Sequence, residues 1–401
     1  MKSAIGLQLL AVTVLLFSLP TGSSAQSLPV QGTVIVPPSS LPHPGFIQTN
    51  LVLLVPNKVV MEPGTYPPGE NPGSLACIYK LVKETPGCEQ GNSNFPTGGG
   101  KTLAIVGYGD NADAESDLET FSSAFGLPQA NFQKVCVPAG HSCSSEGWEA
   151  EESLDIEYAH GMAPKATIYL VELANDDNNI MDAEDAASSL VSQAGGGEVS
   201  NSWNFTDGEF AGETGDDSHF ATPGIVYLAA SGDSRIVEYP SASPNVVSVG
   251  GTTIHRNSSG DFIGEIGWSQ TGGGPSQYEP RPGYQNVVSE IVGKHRGTPD
   301  LSSDADLNSG AAVYSQIGCG GWCIAGGTSL ATPTMAGIIN AAGEFNTSTD
   351  GELTEVYNEY EDNTEHSRWF RDIIDGNNGH PCEKSYDMCT GLGSVLTYEG
   401  K

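Results

Sequence analysis

Basic side chains are scarce in this chain: 16 Lys and Arg stand against 49 Asp and Glu among 401 residues, a formal net charge of −33. Such a field repels nucleic acid and anionic membrane surfaces, so neither suits it as a partner. Long apolar runs are missing beyond the N-terminus. Leu51–Val55 is five residues long, far short of the roughly 20 that a spanning helix needs. None of the eight cysteines has the CxxC spacing of a redox or zinc-ribbon site, and no internal repeat is visible. Apolar content is not lacking. At 38% hydrophobic residues the chain can bury a core despite its charge. Carboxylates in such excess repel one another at neutral pH and less so once protonated, which suits an acidic medium.

At the N-terminus, Lys2 precedes an apolar stretch, Ala4–Leu19, and small residues follow up to Ala25. This is the layout of a secretory signal peptide over residues 1–25, so an exported, soluble, extracellular protein is expected. Export favours disulfides over zinc. The cysteines fall into close couples, Cys77/Cys88, Cys136/Cys143, Cys319/Cys323 and Cys382/Cys389, each able to staple a surface loop. Spacing alone does not fix connectivity. Asn204, Asn257 and Asn346 head glycosylation sequons.

Residues 26–75 are rich in Pro, Gly and Ser and read as an extended leader with one strand-like stretch at Leu51–Val55. Residues 76–401 read as one large domain. Short apolar runs at 101–108, 166–171, 198–203, 225–230 and 246–249 suit buried strands, while 114–125, 151–162 and a segment from Thr328 carry helical spacing. Alternation of this kind predicts an α/β fold, a parallel sheet flanked by helices on both faces.

The sharpest local signal is Gly326-Gly-Thr-Ser329-Leu-Ala-Thr-Pro333-Thr-Met-Ala-Gly337. It places Ser329 at the start of a helix, where free backbone N–H groups stabilise a developing oxyanion. Alone, a Thr-Ser pair there would be an ordinary helix cap. The full string resembles the nucleophile motif that subtilases share with sedolisins, the serine-carboxyl peptidases. Further stretches resemble sedolisins in the same order: Glu151-Glu-Ser-Leu-Asp155 running on to Pro164, Ala230-Ser-Gly-Asp233-Ser, Tyr239–Pro244 leading into Val249–Thr252, Gly272–Ser276, Pro299–Ser302, Arg371–Ile373 and Tyr386–Gly393. The resemblance covers about residues 75–394.

It implies a subtilisin-like fold and a secreted endopeptidase, expected to act as a monomer on proteins and peptides at acid pH. Glu151 and Asp155 stand at i and i+4, so a helix puts both carboxyls on one face, where they share a proton. By the resemblance Glu151 is general base and acid, Asp155 its orienting partner, and Ser329 the nucleophile. Without it, the acids at 146, 149, 151, 152 and 155 would be a solvated helix start. Asp233 stands where subtilases carry an oxyanion-binding Asn, and an Asp donates only when protonated. Alone, it would be a turn residue after Gly232. The resemblance also implies one Ca²⁺ held at Asp372, Ile373, Glu383, Ser385 and Asp387. The family usually has glycine where Glu383 and Ser385 stand.

Other departures concern the leader and the cleft. The stretch after Ala25 is too short for the long prodomain of sedolisins, the chain stops soon after Gly393, and Asn204 replaces a frequent glycine at the substrate-binding edge. Three alternatives stay open: a Ser/His/Asp subtilase active near neutral pH, a tripeptidyl exopeptidase, and a secreted binding protein without activity. For the first, His141 and His160 lack the expected motif, although Asp110 follows the first strand as a subtilase aspartate would.

Overall fold

Residues Gly32–Pro56 form three strands, β1 (Gly32–Ile35), β2 (Ile47–Thr49) and β3 (Val52–Pro56), each paired with another part of the molecule or with its neighbour. The stretch read as an extended leader thus contributes paired strands to the fold. The computed structural model describes residues 30–42, 46–57, 59, 66–175, 179–361 and 366–401. The signal-peptide reading of residues 1–25 lies outside the described residues. Helix α1 (Pro72–Ile78) follows, with Asn71 accepting the N–H groups of Gly73 and Ser74 as its cap.

The central sheet is built from β4 (Thr102–Tyr108), β5 (Asn131–Val137), β6 (Thr167–Leu173), β7 (Gly197–Asn201), β9 (Ile225–Ala230), β10 (Val247–Arg256), β11 (Phe262–Gly267) and β14 (Leu301–Asp304). Its order is β11-β10-β9-β7-β4-β6-β5, with β14 also paired to β10. All pairs are parallel except β10 with β11. Parallel strands covered on both faces need continuous apolar runs rather than alternation. Thr102–Tyr108 and Ile225–Ala230 are accordingly buried at every residue. Smaller pairings include β8 (Trp203–Phe205) with β2, β12 (Gly274–Pro280) with β13 (His295–Thr298), and β15 (Ala311–Ser315) with β16 (Gly321–Gly326). Strand β3 pairs antiparallel with β16, which leads directly to Ser329.

Helices α2 (Ala114–Phe125) and α3 (Glu149–Met162) lie on one face of the sheet, and α4 (Ile180–Gln193) covers the other. Two short helices, α5 (Ser289–Val292) and α6 (Gln316–Cys319), precede the long α7 (Thr328–Ala342), which packs along α3. Their close approach depends on Gly337, because a β-carbon there would lie 2.6 Å from Met162 Cβ and 3.0 Å from the Ala159 carbonyl oxygen. The sequence-predicted helix over 114–125 and strand over 225–230 coincide with α2 and β9. Strand β10 runs on to Arg256, past the expected end at 249, because it pairs with three neighbours at once.

All four cysteine couples are disulfides, Cys77–Cys88, Cys136–Cys143, Cys319–Cys323 and Cys382–Cys389. Among the described residues no helix is long and apolar enough to cross a membrane.

Candidate active site

Helix α7 opens beneath Gly327, whose φ is +121°. A β-carbon there would lie 1.9 Å from the Asn50 carbonyl oxygen and 2.8 Å from Asp233 Oδ2, so only glycine leaves room for both over the helix end. The first amides of a helix have no partner within it. Here the Thr328 N–H and hydroxyl donate to Asp233 Oδ1 at 2.9 and 2.8 Å, and the Ser329 N–H donates to the Asn50 carbonyl at 3.3 Å. Asp233 Oδ2 is buried without a hydrogen-bond partner. Burial pushes the Asp233 carboxyl up to about 7, with Thr328 pulling the other way. Protonated, it would stand beside the Ser329 amide as a second donor for an oxygen that turns negative.

The Ser329 hydroxyl accepts from the Asn50 N–H at 3.1 Å and donates to the Ser202 carbonyl at 3.4 Å. Pro333 has no N–H to offer the Ser329 carbonyl four residues earlier. The Ser202 hydroxyl lies 3.4 Å from that carbonyl and 2.8 Å from Asp155 Oδ1, tying α7 to α3.

Helix α3 is buried at every residue, so the reading of its acids as a solvated helix start is overturned. The sheet, α2, α7 and β15 enclose it. Burial, then Asp155, push the Glu151 carboxyl well above its usual range, while the Ser329 and Thr49 hydroxyls draw it back. Neither Glu151 oxygen has a formed hydrogen bond. Asp155 is raised by burial, against the bond from Ser202. Glu152 points elsewhere: its carboxylate lies against Gly107, raised by burial and then by Glu172.

The sequence reading thus places Glu151, Asp155, Asp233 and Ser329 in one cluster, and the structure adds Thr49, Asn50, Ser202 and Thr328. Thr328 had a local signal, adjacent to Ser329. The others reach the site from distant stretches. Asn204, a sequon residue, is fully buried, so that sequon cannot accept a glycan in the folded chain. The histidines of the alternative triad lie apart from this cluster. His160 is buried with Nε2 at 2.9 Å from the Pro128 carbonyl, His141 is exposed, and Asp110 pairs with Lys134 at 2.5 Å.

At the C-terminal end, Asp372 accepts the Ser385 N–H at 2.9 Å and Asp387 accepts those of Glu383, Cys389 and Thr390 at 2.7–2.8 Å. Both carboxylates therefore face the same turn, and Cys382–Cys389 closes it. Burial raises Asp387 to about 6, against those amide bonds. A buried carboxylate and a second one across a turn suit a hard cation in donor chemistry. Among the described residues no group of three or more Asp, Glu, His or Cys could hold a metal, so main-chain oxygens would have to complete the cage.

The fold is of subtilisin-like architecture, and comparison with known proteins agrees. The family model described as "Subtilase family" matches residues 136–357, more than half of the chain. The chain is 27% identical to sedolisin of Pseudomonas sp. (strain 101) over 82% of its own length, and 29% identical to kumamolisin of Bacillus sp. (strain MN-32) over 75%. It spans 60% and 59% of those two proteins. The solved structure of Pseudomonas sedolisin, a serine-carboxyl proteinase in complex with pseudo-iodotyrostatin, matches with a TM-score of 0.66 at 25% identity, covering 82% of this chain and 95% of that one. An S41 psychrophilic protease matches in fold alone, at 17% identity and a TM-score of 0.52, covering 82% of this chain and 98% of that one. The chain belongs to the subtilase family, in its sedolisin branch.

Proposed function

We propose that this chain is a secreted serine-carboxyl endopeptidase that hydrolyses proteins and peptides at acid pH. The observation that carries the reading is the convergence of two buried carboxyls, Glu151 and Asp155, and the buried Asp233 on the Ser329 end of α7. Ser329 Oγ attacks the peptide carbonyl as its proton passes to Glu151, and the Glu151–Asp155 pair, which held one shared proton and a single charge before the attack, becomes neutral. The oxygen that becomes negative takes the Ser329 N–H and the Asp233 carboxyl as donors. Glu151 returns the proton to the leaving amine, and water then releases the acyl group by the same route.

The working pH window follows from the same groups. The Glu151–Asp155 pair must lose one proton to act as base, while Asp233 must keep its own, which it loses above about 7. Activity should therefore fall as pH rises through neutrality. The test is cleavage of denatured protein by the purified chain from pH 2 to 9, with Ser329→Ala alongside. An acid optimum that vanishes in Ser329→Ala is expected. A neutral or alkaline optimum, or cleavage by Ser329→Ala, would remove this mechanism.

We also propose a structural Ca²⁺ at the C-terminal turn, with Asp372 and Asp387 as carboxylate ligands and the main-chain oxygens of Ile373, Glu383 and Ser385 beside them. The ion would neutralise the buried Asp387 and brace the turn. Chelation should lower the melting temperature and added Ca²⁺ restore it. Identical melting curves with and without chelator would remove the ion.

A further inference from the structure

A stretch of the chain itself lies across the Ser329 site. Strand β2 lies antiparallel to β8, with Thr49 opposite Trp203 and Gln48 opposite Asn204, which carries Asn50 up to Ser329. Its main-chain N–H reaches Ser329 Oγ at 3.1 Å, and its carbonyl faces the Ser329 N–H at 3.3 Å, over Gly327. Asn50 therefore occupies the place of the residue whose carbonyl a nucleophilic Ser329 would attack.

The Asn50 side chain runs into a pocket that ends at Asn204. Both residues are buried, at 3% and 0% exposure. Asn204 Nδ2 donates to the Ala230 carbonyl at 3.0 Å, which commits its nitrogen to the wall leading to Asp233 and turns Oδ1 toward the pocket. Asn50 Nδ2 donates to that oxygen. The pocket thus ends in one fixed, neutral acceptor. A carboxamide meets it with an N–H of matching polarity. An aliphatic or aromatic side chain leaves it buried and unpaired, an ionised carboxylate brings oxygen against oxygen, and an ammonium carries its charge out of water. A glycine in place of Asn204 would remove both the acceptor and the block.

We propose that Asn204 makes this cleft select a carboxamide side chain, asparagine foremost, on the residue that precedes the cleaved bond. The inference rests on the peptidase reading and adds the substrate class to it.

The test is a digest of a denatured protein mixture by the full-length chain at an acid pH, with the new termini read by mass spectrometry, beside Asn204→Gly. The expected profile places Asn before the cleaved bond roughly tenfold above Leu or Phe, as one unpaired buried acceptor costs. In Asn204→Gly that preference collapses and large apolar side chains enter. Cleavage without an Asn preference in the unmodified chain overturns the selectivity while leaving the peptidase reading intact. An Asn preference that survives unchanged in a cleaving Asn204→Gly moves the selectivity to other residues and overturns the role of Asn204. A chain that cuts nothing at any pH overturns the peptidase reading and this inference with it.

Discussion

At position 233 an acid stands where an amide would serve at any pH, and the difference can be measured. Asp233 donates only while protonated, and burial holds it so up to about 7. Asp233→Asn keeps a donor at all pH values, so the fall of kcat/KM near neutrality should move upward or disappear, while the acid limb set by Glu151 and Asp155 stays. A kcat/KM profile whose upper limb is unmoved would assign that limb to another group. The cost at the acid optimum should be less than about tenfold, since one neutral donor replaces another. Position 233 was legible in the sequence because Ala230–Ser234 is a local motif, and Glu151, Asp155 and Ser329 were legible for the same reason. Thr49, Asn50 and Ser202 were not. Asn50 lies 279 positions from Ser329, and only the fold brings them together. Glu152 shows the opposite limit: composition cannot separate it from Glu151, whereas the step of about 100° between successive helical residues sends one toward Ser329 and the other to Gly107.

Among the elements, β2 is the one whose role the sequence hid. Pro, Gly and Ser around it read as an extended leader, which is correct about backbone shape and silent about what an extended segment pairs with. Its partner is the edge strand β8, and unpaired edges accept any extended peptide. A substrate must therefore displace β2. Gln48→Pro removes a donor from a three-residue strand without touching Ser329, Glu151 or Asn50. The rate on an added protein substrate should rise roughly five- to tenfold, the population shift that follows from losing about 1 kcal/mol of pairing. An unchanged rate would mean that β2 leaves the cleft without limiting access. The helices, by contrast, were readable: 3.6-residue spacing over 114–125 and from Thr328 is a strong signal, and Gly337 inside the second marks where α7 meets α3.

Across the whole molecule the acid excess is not confined to the surface. Glu198 is buried with Asn340 as its partner and Glu238 with Ser234, and burial raises each to about 8; Glu172 rises to about 7 for the same leading reason. These shifts all have one sign, and linkage turns them into a statement about stability. A carboxyl raised in the folded chain holds its proton there after the unfolded chain has released it. Its contribution is fully present below the unfolded value of about 4 and is lost as pH rises through the folded value, here from about 7 to about 8. Repulsion within a chain of net charge −33 grows over the same range. The melting temperature at constant ionic strength should therefore be highest near pH 4 and fall steadily toward pH 8, and added salt should recover part of the loss at pH 8 by screening the surface charges. Salt cannot recover the part due to Glu198 and Glu238, because those groups are shielded from solvent. A melting temperature that is flat or rises between pH 4 and pH 8 would mean that these carboxyls ionise in place, and that acidity suits the catalytic groups alone and not the fold that carries them.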